Sequence, residues 1–216
     1  MGKFVTFEGG EGSGKSTQIG LAAEWLKGRG IPVLATAEPG GTPLGRKIRE
    51  ILLNRGPNAI SAEAELLLFA AARAQHVRET ILPALERGQW VLCDRFADAT
   101  LAYQGFGRGI DAAFIRALNA FSSLSVKPDL TFLIDLDVET GLDRARRRTA
   151  GVRPEKAEDR FENEARAFHD RIREGYRTLA AEEPQRFRII DAAADIETVH
   201  REVCSRLEEF IQATGG

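Results

Sequence analysis

The sequence predicts an α/β fold: one domain over residues 1–216, with a five-stranded parallel sheet and helices on both faces. Three observations predict it. Apolar runs of strand length recur at 3–8, 32–36, 89–93, 129–136 and 187–191. They are near-continuously apolar, as strands covered on both faces read. Between them lie stretches with helical spacing of apolar residues, closed by Gly or Pro, so strands and helices alternate.

The first run, Lys3-Phe4-Val5-Thr6-Phe7, leads into a glycine-rich turn and then a helix at 15–28, whose apolar face is Ile19, Leu21, Ala22, Trp25 and Leu26 and whose stop is Gly28 and Gly30. Pro32-Val33-Leu34-Ala35-Thr36 is the second strand and 43–54 the next helix. A long helix at 62–87 is interrupted by Pro83 and closed by Gly88, and Gln89-Trp90-Val91-Leu92-Cys93 follows as the third strand. Helix 111–123, strand 129–136 and helix 138–148 come next. A helix at 158–182 stops before Pro184, and strand 187–191 and helix 195–212 complete the chain. No internal repeat or low-complexity linker divides it.

Hydrophobic content of 43% with 29% charged residues fits an ordinary globular core, and a net charge of −2 gives no global attraction to nucleic acid. Cys93 and Cys204 lie far apart in apolar patterns without metal-type spacing, which predicts buried free thiols in a reducing compartment. No run is long enough to span a bilayer and the chain opens directly into a strand, so the expectation is a cytoplasmic protein without membrane or nucleic-acid partners.

Residues 9–16, GGEGSGKS, follow the first strand and open the first helix, which is the setting of a P-loop. Glycines there let successive backbone N–H groups point into one concavity, and the helix N-terminus adds its own unpaired amides. Gly9, Gly10, Glu11, Gly12, Ser13 and Gly14 would form the cradle. Lys15, expected to face solvent, would reach the β- and γ-phosphates of a nucleoside triphosphate, the Ser16 hydroxyl would ligate a phosphate-bound Mg²⁺, and Thr17 adds a hydroxyl on the same turn. The fold class is therefore P-loop NTPase-type. A guanine-reading Asn-Lys-x-Asp is missing from the sequence, so a second substrate is sought elsewhere.

The stretch 90–109, WVLCDRFADATLAYQGFGRG, supplies candidates. Asp94 falls at the carboxyl end of the third strand, where ligands of open parallel sheets gather, and can hold the metal or its water shell; Arg95 presents a fork suited to phosphate, unless the two are a surface ion pair. Phe69 and Arg73 are four residues apart on one helix face. They suit a flat base and its edge, or equally a packing pair. Residues 144–160 crowd six Arg and one Lys around Gly151 and Pro154. That segment is either a solvated loop or a mobile basic lid over bound phosphates.

FEGGEGSGKST (7–17), EPGGTPLG (38–45), LLLFAAARAQH (66–76), DRFADATLAYQGFGRG (94–109), KPDLTFLIDLDVETGLDRARRR (127–148) and DRFENE (159–164) together resemble the bacterial thymidylate kinases, in family order across essentially the whole chain. The resemblance implies transfer of the ATP γ-phosphoryl group to dTMP in dTTP synthesis, a homodimer, and a set of roles. Phe69 would stack on thymine, Arg73 bond its edge, and Thr100 and Gln104 lie near it. Arg49 and Arg95 would hold the dTMP phosphate with Glu38 in the acceptor site, Tyr103 would stand where a ribose 2′-hydroxyl would project, and Glu11 would accept from the 3′-hydroxyl. It further implies that Arg148 and Arg153 of the lid act on the transferring phosphates beside Lys15 and Arg95, with Arg144 or Arg146 beside adenine.

The sequence departs from the family pattern at Ala37, where an arginine is often found, and has Gly12 where one version of the family carries an arginine. A different nucleoside monophosphate kinase or a deoxynucleoside kinase is the alternative within the fold. A neutral nucleoside acceptor would leave Arg49 and Arg95 nothing to neutralise. A regulatory P-loop protein that binds ATP without a small acceptor is the alternative outside this class.

Overall fold

The computed structural model describes residues 2–53, 59–149 and 160–214. Its sheet has five strands: β1 (Phe4–Glu8), β2 (Val33–Ala37), β3 (Trp90–Asp94), β4 (Leu130–Asp135) and β5 (Phe187–Asp191). They are ordered β2-β3-β1-β4-β5 and every pairing is parallel. Each lies within a residue or two of its predicted place. Central β1 pairs Val5 with Leu92 on one side and Leu130 on the other, which brings the carboxyl ends of β1 and β3 together.

The helices are α1 (Lys15–Lys27), α2 (Pro43–Leu53), α3 (Ala62–His76), α4 (Leu82–Glu86), α5 (Ala97–Thr100), α6 (Ala112–Ser122), α7 (Val138–Thr149), α8 (Arg166–Glu182) and α9 (Ile196–Thr214). Alternation along β1 assigns the faces. Val5 and Phe7 pack with Ile19 and Leu26 of α1 and with Val203 and Leu207 of α9, whereas Phe4 packs with Ile81, Ala84 and Leu85. Burying each large apolar side chain of this kind stabilises the fold by about 1.5–3 kcal/mol.

Two predicted elements differ and one helical segment was not predicted. The helix predicted at 62–87 is α3 and α4 joined by a π-helical turn at Val77–Ile81, which widens the ladder just ahead of Pro83, a residue without an N–H to donate. The start expected at 158 lies outside the described residues; from Arg160 the chain forms a 3₁₀ turn, Arg160–Asn163, and extended backbone at Ala165, after which α8 begins. That break swings Phe161 onto Tyr103 and Phe168. Finally, α5 runs into a π-helical segment, Leu101–Gly107, where the sequence shows no helical pattern. Its glycine serves close packing: a Cβ on Gly107 would sit 2.7 Å from the Phe168 ring.

Cys93 is buried and free as predicted, while Cys204 is free but only half-buried. Among the described residues no helix is long and apolar enough to cross a membrane.

Candidate active site

The P-loop leaves β1 and enters α1 through Gly12 and Gly14, both at positive φ (65° and 96°). Gly14 caps α1 without a side-chain bond, and the first turn of that helix carries no acidic residue, so the terminal amides are left for an anion. The Gly12 position is closed to any side chain, since a Cβ there would lie 2.0 Å from the Gly141 carbonyl oxygen of α7. An arginine at position 12 would require α7 to move away from the loop. The same close packing lays α7, which ends in Arg146, Arg147 and Arg148, directly against the loop.

Lys15 does not face solvent as expected. It is 7% exposed, and its Nζ donates to the carbonyls of Gly9 (3.1 Å) and Gly10 (2.8 Å) and to Ser13 Oγ (3.3 Å). Burial, with Arg95 adding to it, lowers the ammonium from its usual value to about 8, against the opposing pull of Asp94, Glu11 and Glu8. Ser16 Oγ donates to Asp94 Oδ2 at 2.6 Å, so the hydroxyl and the strand-end carboxylate form one oxygen pair. Among the described residues no cluster of three or more His, Cys, Asp or Glu could enclose a metal. The pair suits a Mg²⁺ held mainly by phosphate and water, the habit of that ion.

Arg95 lies between the two halves of the site, with its backbone at φ 68°. Its Nη1 donates to the Gly9 carbonyl (2.9 Å) and Tyr176 Oη (3.3 Å), and its Nη2 to Glu11 Oε1 (2.7 Å). Tyr103 Oη donates to the same Glu11 oxygen at 2.5 Å. Burial opposes ionisation of Glu11, but Arg95, Lys15 and the Tyr103 bond outweigh it and hold the carboxyl at about 2.

Beyond Arg95 the wall is built on a buried network. Arg73, 1% exposed, donates through Nε to Glu38 Oε2 (2.9 Å), through Nη1 to Asn119 Oδ1 (2.6 Å) and through Nη2 to the Phe96 carbonyl (3.0 Å) and Thr100 Oγ1 (2.8 Å). Of the five guanidinium N–H groups, four are so engaged and one, on Nη1, has no hydrogen-bond acceptor among the described residues. Glu38 Oε1 pairs with His76 Nδ1 (3.0 Å), whose Nε2 meets Thr36 Oγ1 (2.7 Å). Gln104 Nε2 donates to Glu65 (2.7 Å), and Arg49 Nη1 to the Pro39 carbonyl (3.1 Å).

One cavity of about 810 Å³ gathers these groups. It is lined by Glu11 to Thr17 of the loop and by Glu38, Arg49, Phe69, Arg73, Asp94, Arg95, Thr100, Tyr103, Gln104 and Arg148. Gly9 and Gly10 meet it through Lys15. Arg148, at the end of α7, lines it and donates to the buried Glu162 (3.3 Å). Arg144, bonded to the Ala192 carbonyl (3.0 Å), and Arg146, beside Asp143, do not line it. Arg153 and most of the 144–160 segment lie outside the described residues; 144–149 belong to α7.

Residues 7–203 match the sequence model of the family described as "Thymidylate kinase". The chain belongs to the thymidylate kinase family. It is 62% identical to the thymidylate kinase of Syntrophus aciditrophicus (strain SB), covering 98% of this chain and 97% of the relative, and 50% identical to that of Desulfovibrio desulfuricans, covering 98% of each. Its fold is similar to the crystal structure of thymidylate kinase from Ehrlichia chaffeensis, with a TM-score of 0.77 at 35% identity over 95% of this chain and 98% of that one. Family membership supports the all-parallel P-loop architecture read from the sequence. His76, Asn119, Phe161, Tyr176 and Glu8 support or line the site but were not predicted. Phe161 sits inside the DRFENE element, a signal that located it without revealing a role.

Proposed function

We propose that this cavity holds ATP and dTMP end to end and that the residues lining it carry the roles the sequence suggested. The chain is an ATP-dependent nucleoside monophosphate kinase that transfers the γ-phosphoryl group of ATP to dTMP, giving dTDP and ADP. The observation that carries the site reading is the single cavity in which Lys15 and Ser16 of the P-loop face Phe69, Arg73, Thr100, Tyr103 and Gln104 across Arg95.

The loop amides and the α1 N-terminus hold the ATP phosphates, and Lys15 leaves its loop carbonyls for their oxygens. Ser16 and Asp94 hold the Mg²⁺, which neutralises phosphate charge. Phe69 offers a ring to thymine, and the remaining Nη1 hydrogen of Arg73 meets the base edge beside Gln104 and Thr100. Arg95 and Arg49 take the dTMP phosphate. Glu11, already ionised, accepts from the 3′-hydroxyl, and the Tyr103 ring crowds the sugar where ribose would carry its 2′-hydroxyl. Phosphoryl transfer needs position and charge more than covalent help, so the arginines that follow Arg146 act by arriving at the transferring group. Arg148 and Arg153 are assigned there as part of a lid at about 144–160, and Arg144 or Arg146, which do not line the cavity, would meet adenine where it projects past that lining.

Supporting a homodimer, Leu44, Ile51, Leu67, Phe114 and Phe121 are exposed on α2, α3 and α6, helices that pack side by side. A cytoplasmic location fits small soluble substrates. The assignment is tested by thermal shift with dTMP, thymidine or no acceptor beside ATP and Mg²⁺, together with a coupled assay. Stabilisation and turnover with dTMP alone are expected. Equal responses to thymidine would return the reading to a deoxynucleoside kinase, and turnover without acceptor to an ATPase.

A further inference from the structure

Arg95 holds a left-handed backbone that a non-glycine residue adopts only when its surroundings enforce it. The surroundings are specific. The Arg95 N–H donates to the Phe7 carbonyl (3.0 Å), and the next N–H, that of Phe96, donates not to backbone but to Glu8 Oε1 at 2.7 Å. The other oxygen of the same carboxyl, Glu8 Oε2, accepts from Tyr176 Oη at 2.8 Å, and that hydroxyl in turn receives Arg95 Nη1. One oxygen of Glu8 therefore fixes the backbone on the far side of Arg95, and the other reaches its guanidinium through a single hydroxyl.

Glu8 is 0% exposed at the end of the central strand and does not line the cavity. A carboxyl in a sheet interior is costly unless it is hydrogen-bonded, and here each oxygen accepts one bond that helps to hold Arg95. Burial, reinforced by Asp98, pushes the Glu8 carboxyl up to about 7, against Arg95 and the bonds from Tyr176 and Phe96. The neutral acid still offers a carbonyl oxygen to Phe96, so the geometry does not require a full charge.

We propose that Glu8 is a positioning residue of the acceptor site: it locks the left-handed turn and the Tyr176 hydroxyl that together aim Arg95 at the acceptor phosphate. The proposal rests on the reading that Arg95 takes that phosphate. Glu8 touches neither substrate, and its effect passes entirely through Arg95.

The test is a double-mutant cycle on the full chain with Glu8→Leu, Arg95→Ala and their combination, beside Glu8→Gln, measuring KM for dTMP, KM for ATP and kcat on variants whose melting is cooperative. Loss of the two buried hydrogen bonds that Glu8 accepts, from Phe96 N–H and Tyr176 Oη, predicts a dTMP KM raised by about tenfold in Glu8→Leu with the ATP KM within about twofold of native. Because the carboxamide keeps an acceptor for the Phe96 N–H, Glu8→Gln should stay within about threefold of native. The double variant should be no worse than Arg95→Ala alone, the signature of one residue acting through another. If Glu8→Leu fails to fold, Tyr176→Phe decides, since it keeps the ring and removes only the connecting hydroxyl; it should raise the dTMP KM by about threefold. A native dTMP KM in a folded Glu8→Leu, or in Tyr176→Phe where that variant decides, overturns the proposal. So do additive losses in the double variant and equal increases in both KM values, which would make Glu8 a support of the P-loop. A native dTMP KM in Arg95→Ala overturns the acceptor-site reading itself, and Glu8 falls with it.

Discussion

Glu11 Oε1 accepts Arg95 Nη2 at 2.7 Å, so an acid placed inside an anion-binding loop has a cation of its own. Its ionised state, held at about 2, keeps it an acceptor throughout the physiological range. A hydrogen bond from the 3′-hydroxyl to this carboxylate predicts that wild-type enzyme loses about 10- to 100-fold in kcat/KM with the 3′-deoxy counterpart of dTMP. In Glu11→Ala that penalty should shrink severalfold, because the missing hydroxyl no longer has a charged partner. The four kcat/KM values check it, and an undiminished penalty in the variant would place the 3′-hydroxyl elsewhere.

Tyr103 combines a hydroxyl bonded to Glu11 with a ring set edge-on to Phe161 at 5.6 Å. Tyr103→Phe keeps the ring and its packing, and so should keep discrimination between dTMP and its ribose counterpart while losing some activity with both. Tyr103→Ala removes the bulk and should relax the discrimination by about tenfold or more, the scale on which a filled pocket rejects an added group. Equal discrimination by the two variants would show that the ring is not the gate.

Strands and the phosphate loop were legible because their signals are local: a run of apolar residues, or eight residues of fixed spacing. Phe69 and Arg73 were legible as a pair because a helix puts i and i+4 on one face. What stayed hidden is long-range. The partners of Arg73 come from Glu38, Phe96, Thr100 and Asn119, and Glu8 meets Tyr176 across 168 residues, so no periodicity announces either network. The 97–107 helix was hidden for another reason. Its glycines lower helix propensity, yet a side chain at Gly107 would collide with Phe168, so tertiary packing overrides propensity there.

Lys15 gives a pH prediction. Burial and Arg95 lower its ammonium to about 8, so the free enzyme carries the charge below that pH and loses it above. The kcat/KM for ATP, which reports the free enzyme, should decline as pH rises past about 8, whereas kcat should hold to higher pH because bound phosphates favour the charged form. Lys15→Ala should remain folded, because the hydrogen bonds of its ammonium lie within its own loop and it packs in none of the apolar clusters, and fall in kcat/KM by at least about a hundredfold. Profiles flat to pH 10, or near-native turnover in the variant, would take Lys15 out of the mechanism.

Phe121 is 79% exposed and Leu67 57%, on helices α6 and α3 that pack against each other. If a second copy of the chain covers this face, Phe121→Asp should shift the protein from dimer to monomer in sedimentation without loss of helical signal, because a buried unpaired charge opposes association and an exposed one does not. A monomeric wild-type protein, or a variant that stays dimeric, would move the interface off α3 and α6.

Arg148 lines the cavity and donates to Glu162 from the last turn of a helix seated on the P-loop. If it works with Arg153 on the transferring group, Arg148→Ala with Arg153→Ala should leave dTMP binding to Arg49, Phe69, Arg73 and Arg95 unchanged while turnover falls by about a hundredfold or more. Charge that engages only as the phosphoryl group moves stabilises the transition state more than the bound ground state, so kcat is the parameter it controls. If the segment is only a solvated surface, the substitutions should shift neither quantity appreciably, as exposed charge changes usually behave. Calorimetric titration of dTMP and a coupled assay on the same preparation separate the outcomes. Unchanged turnover would remove the lid role, and a parallel loss of dTMP binding would reassign these arginines to the acceptor phosphate.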